Sequence, residues 1–406
     1  MAGGKAYPQN TRLLLGLGAL ALLVALIIPV RPHLAGGSAD DSSDDTAPET
    51  SGPSPAGPGQ LAIAAQQADR LQPRAVKAPT TSTNPEAGPE DTETGPEDTE
   101  AGPEDTEPEK QRVVISAVGD TNLDPNYIPA LRTEGYEHAF TGLDDIFALD
   151  DLTIVNLECA ASDIGAPVPK TFTFNCAREA LPVMTAAGVE VANLANNHGA
   201  DWGMDALLET KKNVAAAGME PVGVGANAIE AHTPALLEIG GWKIAVLGFG
   251  GVIPASSWLA TDDQPGMADG DTIPTMVAAV EAADEIADFV LVTIHWGVEL
   301  DTQPRPDDRE RAKAMIEAGA DAIFGHHPHR LQPLETVNDR PVAWSLGNFV
   351  WPRLSDAGAT SAIAQVVIEA DGTIGEACLL PVFIESHGHP VLQGDYEGPC
   401  QLAEEG

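Results

Sequence analysis

The chain has 406 residues, with 61 Asp and Glu against 21 Lys and Arg and a formal net charge of −40. So large an acidic excess excludes a nucleic-acid binder that works through phosphate contacts. The acids run through the chain rather than sitting in one tail, and such self-repulsion is tolerable where salt shortens the Debye length to ~3 Å at 1 M. A salt-adapted host is therefore expected, with unfolding on transfer to low salt as its signature.

At the N-terminus Lys5 and Arg12 precede an uncharged apolar run from Leu13 to Val30, and Arg31 follows it. The run is just long enough to span a bilayer, and the basic residues before it orient the N-terminus inward. His33-Leu34-Ala35 and Gly37-Ser38-Ala39 match a small-x-small cleavage site poorly. Residues 1–34 are thus read as a signal anchor, with a cleaved signal peptide as the alternative. Either way the remainder is expected outside the cytoplasm, as a single-pass membrane protein or a secreted one.

Residues 35–110 are rich in Pro, Gly, Ser, Thr, Ala and acid, a composition that buries too little apolar surface to offset chain entropy. A heptapeptide repeat begins at Gly88, Gly95 and Gly102, each copy carrying Pro-Glu-Asp-Thr-Glu. No position in it is apolar, so it reads as an extended, self-repelling stalk and not as a coiled coil. Within the stalk, Ala62–Leu71 is predicted to form a short helix.

The folded domain is expected over 111–390, with 391–406 as a tail. Val113–Val118, Leu152–Val155, Val189–Leu194, Phe289–Ile294, Ala320–Phe324 and Val342–Trp344 have buried-strand patterns. Helical stretches Ala206–Ala217, Ile273–Ile286 and Asp307–Ala318 fall between them, so the alternation predicts an α/β fold with a largely parallel sheet. Ala362–Ala370 and Thr373–Phe383 read as a hairpin on the Asp371-Gly372 turn.

Each of the first five strands leads to a residue able to bind metal or transfer a proton. Asp120 follows the first, Glu158 the second, Asn197 and His198 the third, His295 the fourth, and His327 with His329 the fifth. Singly each has an ordinary explanation: Asp120 as a helix cap, Glu158 as a loop carboxylate, Asn197 as a cap, His295 as a satisfied core histidine. Together at strand ends they point to one site at a sheet edge. A carboxylate, amide and imidazole set suits Mn, Zn or Fe, as one ion or two, and Glu158 is placed to bridge a pair. His198 is the natural general acid.

Cys159, Cys176, Cys378 and Cys400 show no CxxC spacing, which argues against zinc ribbons and redox motifs. Of the three pairings open to them, proximity favours Cys159–Cys176 and Cys378–Cys400.

Gly119-Asp120, Asn156-Leu157-Glu158, Lys170-x-Phe172-x-Phe174, Asn196-Asn197-His198 with Asp201-x-Gly203, His295-Trp296-Gly297-x-Glu299, Gly325-His326-His327-Pro328-His329 and Ser345-Leu346-Gly347-Asn348-Phe349 stand in one order. In this the chain resembles the CapA family of poly-γ-glutamate capsule biosynthesis proteins, a branch of the calcineurin-like metallophosphatase superfamily. The resemblance covers about Val113 to Ile384. It implies a four-layer α/β/β/α sandwich with Asp120, Glu158, Asn197, His295, His327 and His329 as metal ligands and His198 as catalytic acid. His326 stands where the family often has a small residue and is left out of the set. The superfamily's first motif is Asp-x-His, whereas this chain has Asp120-Thr121-Asn122, which puts one of two metal positions in doubt.

The expected function is a metal-dependent hydrolase in capsule or cell-surface polymer synthesis, acting on an anionic polymer such as poly-γ-glutamate or on a phosphoester. Lys170, Arg330 and Arg353 are candidates for binding the anion, and synthase subunits are candidate partners. A non-catalytic accessory subunit and a secreted metallophosphatase are the alternatives. The loop Val252–Asp271, rich in Pro, Gly and Asp, is expected to line the site.

Overall fold

The computed structural model describes residues 73–75 and 109–403. The apolar run 13–30, the expected helix over Ala62–Leu71 and the heptapeptide repeats lie outside these residues. Among the described residues no helix is long and apolar enough to cross a membrane.

The domain starts from a strand that is buried at all nine positions, Val113–Thr121 (β2). Its alternate residues Val113, Ile115 and Ala117 belong to one core and Val118 to another, as the two-residue period of a strand requires. β2 pairs in parallel with Leu152–Leu157 (β3), which pairs with Val191–Asn193 (β4), which pairs with Glu220–Val222 (β5). On its other side β2 pairs antiparallel with Thr360–Ile368 (β15), followed by Ile374–Ser386 (β16) and His389–Leu392 (β17). Asn348–Val350 (β14) takes over beside β2 at Asp120 and Thr121. The β15–β16 turn at Asp371-Gly372 has Gly372 at φ +84°, a conformation that favours glycine.

A second sheet has a parallel centre of Trp242–Gly250 (β8), Phe289–His295 (β10), Ala322–His326 (β11) and Arg340–Ala343 (β13). Ala235–Ile239 (β7) and Leu334–Val337 (β12) are antiparallel neighbours of β8 and β13. One core fills the space between the sheets, with Ile115, Ile154 and Val366 from the first and Ile244, Leu291 and Phe324 from the second. Helices Leu181–Ala187 and Met204–Ala217 pack on the outer face of the first sheet through Met184, Leu207 and Val214. Helices Ile273–Asp284 and Pro306–Glu317 cover the second through Met276, Val280, Ala312 and Met315. The result is a mixed α/β sandwich.

The strands divide between two sheets, because β7 and β8 form an antiparallel pair that starts a second layer. Two expectations are corrected. The segment from 391 is no tail: His389–Leu392 extends the first sheet, and Asp395–Gly398 (β18) pairs with Gln401–Ala403 (β19). Cys400 there is joined to Cys378 of β16, and Cys159 to Cys176, each with Cα atoms 5.7 Å apart. Within the presumed stalk, Arg74–Ala75 (β1) pairs in parallel with Leu237 and Glu238, so at these two residues strand pairing replaces the expected disorder.

Candidate metal centre

The polar strand ends meet where the carboxyl edges of β2, β3 and β4 in one sheet face those of β10 and β11 in the other. The expectation of one sheet edge thus gives way to two facing edges. Close approach of the strands at this point depends on glycine. A Cβ on Gly119 would lie 2.2 Å from the Gly347 carbonyl oxygen, and one on Gly325 would lie 2.1 Å from that of Trp344.

Asp120, Glu158, His295 and His326 are fully buried, and His327 nearly so. Atoms of Glu158, His295 and His327 lie within 4.8 Å of one another, and so do those of Asp120, Glu158 and His329. Glu158 is common to both triads. Its Oε1 lies 3.7 Å from His295 Nε2 and 3.9 Å from His329 Nε2, and neither of its oxygens has a hydrogen-bond partner. His326 Nδ1 and His327 Nδ1 are also buried without partners. Buried polar atoms are normally paired, so a carboxylate and imidazoles left unpaired in one place fit a divalent cation well. The donor set contains no thiolate and matches Mn, Zn or Fe.

Amides hold these groups in position. Asn156 Nδ2 donates to Asp120 Oδ1 at 2.9 Å and lies 3.1 Å from His295 Nδ1. The Asn197 side-chain oxygen is 3.0 Å from His295 Nε2, so Asn197 stands at the same point as the triads. Asn348 Oδ1 accepts from His329 Nδ1 at 2.8 Å. The backbone N–H of His327 points at both Asp120 oxygens, at 3.4 and 3.3 Å. His327 and His329 sit at φ +96° and +51°, left-handed values that cost non-glycine residues of order 1–3 kcal/mol and tend to cluster at functional sites.

Charge follows from this packing. Burial pushes Asp120 up, but His329, 3.1 Å away, outweighs it and holds the carboxyl below its ordinary range. Burial and the Asp120 charge push Glu158 well above its ordinary value. Burial, with the neighbouring imidazole of His327, drives His295 well down, and burial takes His326 and His327 to about 4. His295, His326 and His327 are therefore neutral near pH 7, the form that binds metal, whereas at His329 burial is outweighed by Asp120, which raises it above its ordinary value.

His198 is turned to one side of the cluster. Its Nδ1 is 2.6 Å from Asp201 Oδ2, and its ring packs at a tilt of 33° against Phe174 with centroids 4.2 Å apart. Burial lowers its pKa although Asp201 works the other way. Lys170 Nζ donates to Asp201 Oδ1 and to the Asn197 carbonyl, both at 2.6 Å. Lys170 is thus spent on an internal carboxylate.

The other two cations differ. Arg330 lines the cleft beside His329, whose carbonyl it donates to at 2.6 Å. Arg353 donates to Asp356 at 2.9 Å and lies over the Phe383 ring, and it does not line the cleft, although its neighbours Pro352 and Leu354 do. Asn122 Oδ1 accepts from the backbone of Asp124 at 2.8 Å, and its Nδ2 is buried and unpartnered. The loop Val252–Asp271 contributes no residue to the cleft lining, though Trp258 lies 5.6 Å from Lys170 Nζ. Sequence reading missed Asp201, Asn156, Asn348 and Trp351 as site residues. The first three lie inside quoted motifs, which was the available signal.

Residues 114–353 match the family model described as bacterial capsule synthesis protein PGA_cap. The chain is 30% identical over 276 residues to "Capsule biosynthesis protein CapA" of Bacillus anthracis, covering 65% of this chain and 66% of that protein. It is 31% identical over 265 residues to "PGA biosynthesis protein CapA" of Bacillus subtilis, covering 64% of this chain and 68% of that one. A third relative, at 30% identity over 210 residues, is the "Probable polyglutamine synthesis accessory protein" of Mycobacterium tuberculosis, with 49% of this chain and 55% of that protein covered. The chain thus spans about two thirds of the length of its Bacillus relatives and about half that of the mycobacterial one.

Proposed function

The chain belongs to the bacterial capsule synthesis family PGA_cap, and on that premise we propose that it is a metal-dependent hydrolase serving synthesis of an anionic surface polymer. The names of the Bacillus relatives support the polymer context. The basic residues and apolar run at the N-terminus support a membrane-anchored protein whose domain works outside the cytoplasm. Three cores, one between the sheets and one under each helical layer, support the four-layer metallophosphatase type of sandwich.

One observation carries the hydrolase reading: the buried, unpartnered carboxylate of Glu158, shared by two ligand triads. Asp120, Glu158 and His329 would hold one ion, and Glu158, His295 and His327 a second, with the Asn197 oxygen beside them. Such ions acidify water and polarise a phosphoryl or acyl oxygen. The chain's own residues then orient and move protons. Asp201 keeps the His198 proton on Nδ1, so Nε2 is free at the cleft to take a proton and pass it to the leaving oxygen. Asn156 and Asn348 prevent Asp120, His295 and His329 from turning away.

A screen of phosphomonoesters, phosphodiesters and poly-γ-glutamate with the Mn-loaded protein tests this. Turnover that disappears in Glu158→Gln and falls in His198→Gln is expected. No turnover of any class by fully loaded protein favours a second reading, an accessory subunit that binds polymer or synthase. Asn122 supports that reading, because its side-chain oxygen is occupied by the Asp124 backbone and not turned to a ligand position.

A further inference from the structure

We infer that the cleft above the cluster takes an amphiphilic phosphoester, a single anionic head carrying an apolar group, and not a stretch of polyanion. This rests on the hydrolase reading and names its substrate class. The cleft, of about 270 Å³, has His198 and His329 in its lining, so it opens on the candidate centre. Its walls are apolar far beyond what a polymer of carboxylates needs. Tyr127 packs against Phe174 at 4.5 Å, Trp351 at 5.7 Å and Phe172 at 6.5 Å between ring centroids, and Trp351 lies 4.8 Å from the His329 ring. A continuous aromatic wall thus runs from the surface to the ligand cluster.

The rim carries the second observation. Phe172, Leu300 and Leu354 are 59%, 60% and 74% exposed, and all three line this cleft. They make up half of the large hydrophobic side chains exposed among the described residues. In a chain this acidic, exposed apolar side chains gathered at one mouth mark a binding surface.

Charge supplies the third. Arg330 in the lining has no carboxylate within 4.0 Å among the described residues, so it is available to one anion. Lys170 is occupied by Asp201. Glu299 lines the same cleft, and its negative charge acts on Glu158, Tyr127 and His329. One anionic head fits beside Arg330, whereas the next carboxylates of a polyanion would meet Glu299 and an aromatic wall without a cation.

The test is calorimetric titration of the Mn-loaded full chain with methyl phosphate, n-octyl phosphate below its micelle concentration, and poly-γ-glutamate. Burial of a few methylenes on the rim predicts octyl phosphate binding about tenfold or more tightly than methyl phosphate. In Phe172→Ser/Leu354→Ser that ratio should fall toward one. Equal affinities for the two phosphates overturn the inference. So does a ratio that the double variant leaves in place, or poly-γ-glutamate binding as tightly per charge as octyl phosphate. Titration of Glu158→Gln separates the two levels: weakening of both phosphates with the ratio retained supports the metal reading and the apolar rim together. Unchanged binding of both in Glu158→Gln, with the ratio retained, counts against the metal reading alone.

Discussion

At Asp201 a single buried carboxylate accepts from His198 Nδ1 on one oxygen and from the Lys170 ammonium on the other, both at 2.6 Å. Asp201→Asn would leave the tautomer and orientation of His198 unspecified without touching either ligand triad. We expect turnover to drop about 10²-fold or more with metal content unchanged, read by steady-state kinetics beside elemental analysis. A second residue shows its charge in stability. Asp150 is buried, its Oδ2 accepts from Thr153 Oγ1 at 2.7 Å, and its Oδ1 has no partner. Burial raises its pKa well above the ordinary 3.8, so the folded state keeps a proton that the unfolded chain has already lost. Stability therefore falls as pH rises above 3.8 toward the folded value. Asp150→Asn should flatten that fall in urea titrations run from pH 4 upward; an unchanged slope would place the carboxylate in its charged form. The gathering of Asp120, Glu158, His295, His327 and His329 was legible in sequence because, although each has an ordinary use singly, all of them fall at strand ends. Asn156 and Asn348 were not, since an amide at a strand end is common and their partners lie 36, 139 and 19 positions away.

The element that carries Glu158 ends β3 and runs directly into Cys159, whose disulfide to Cys176 closes a loop containing Lys170, Phe172 and Phe174. This bridge therefore ties a ligand strand to one wall of the cleft. Its removal in Cys159→Ala/Cys176→Ala should cost about 3 kcal/mol from loop entropy and also weaken metal binding, whereas Cys378→Ala/Cys400→Ala should cost similar stability alone. Thermal melts with and without added Mn²⁺ distinguish the two, because only the first pair should lose metal-dependent stabilisation. Elements were legible where burial makes a long apolar run, as in β2, β10 and β11. The hairpin at Asp371-Gly372 was legible from its turn. The division into two sheets was implied by the family resemblance and not by the strand pattern itself, since an antiparallel β7–β8 pair and a crossover helix both leave apolar runs, and only tertiary packing tells which layer each joins.

The molecule as a whole carries a formal charge of −40, and its folded domain must hold most of that charge in a compact volume. Because screening shortens with ionic strength, the melting temperature should rise steeply as KCl goes from ~0.01 M, where the Debye length is ~30 Å, to ~1 M, where it is ~3 Å. A melting temperature independent of salt would remove the argument for a salt-adapted host. The same acidity sharpens the meaning of the cleft, where His198, His329, Arg330 and an aromatic wall stand in a strongly acidic protein.

Glu158 would join two metal positions built from facing sheet edges. Elemental analysis of residues 111–406, purified under Mn²⁺ or Zn²⁺, tests it most directly beside Glu158→Ala, His327→Ala and His329→Ala. About two equivalents are expected in the unaltered domain, about one in each histidine variant and none in Glu158→Ala. A folded domain that binds no metal when metal is plentiful, or one whose metal survives the loss of Glu158, would contradict it.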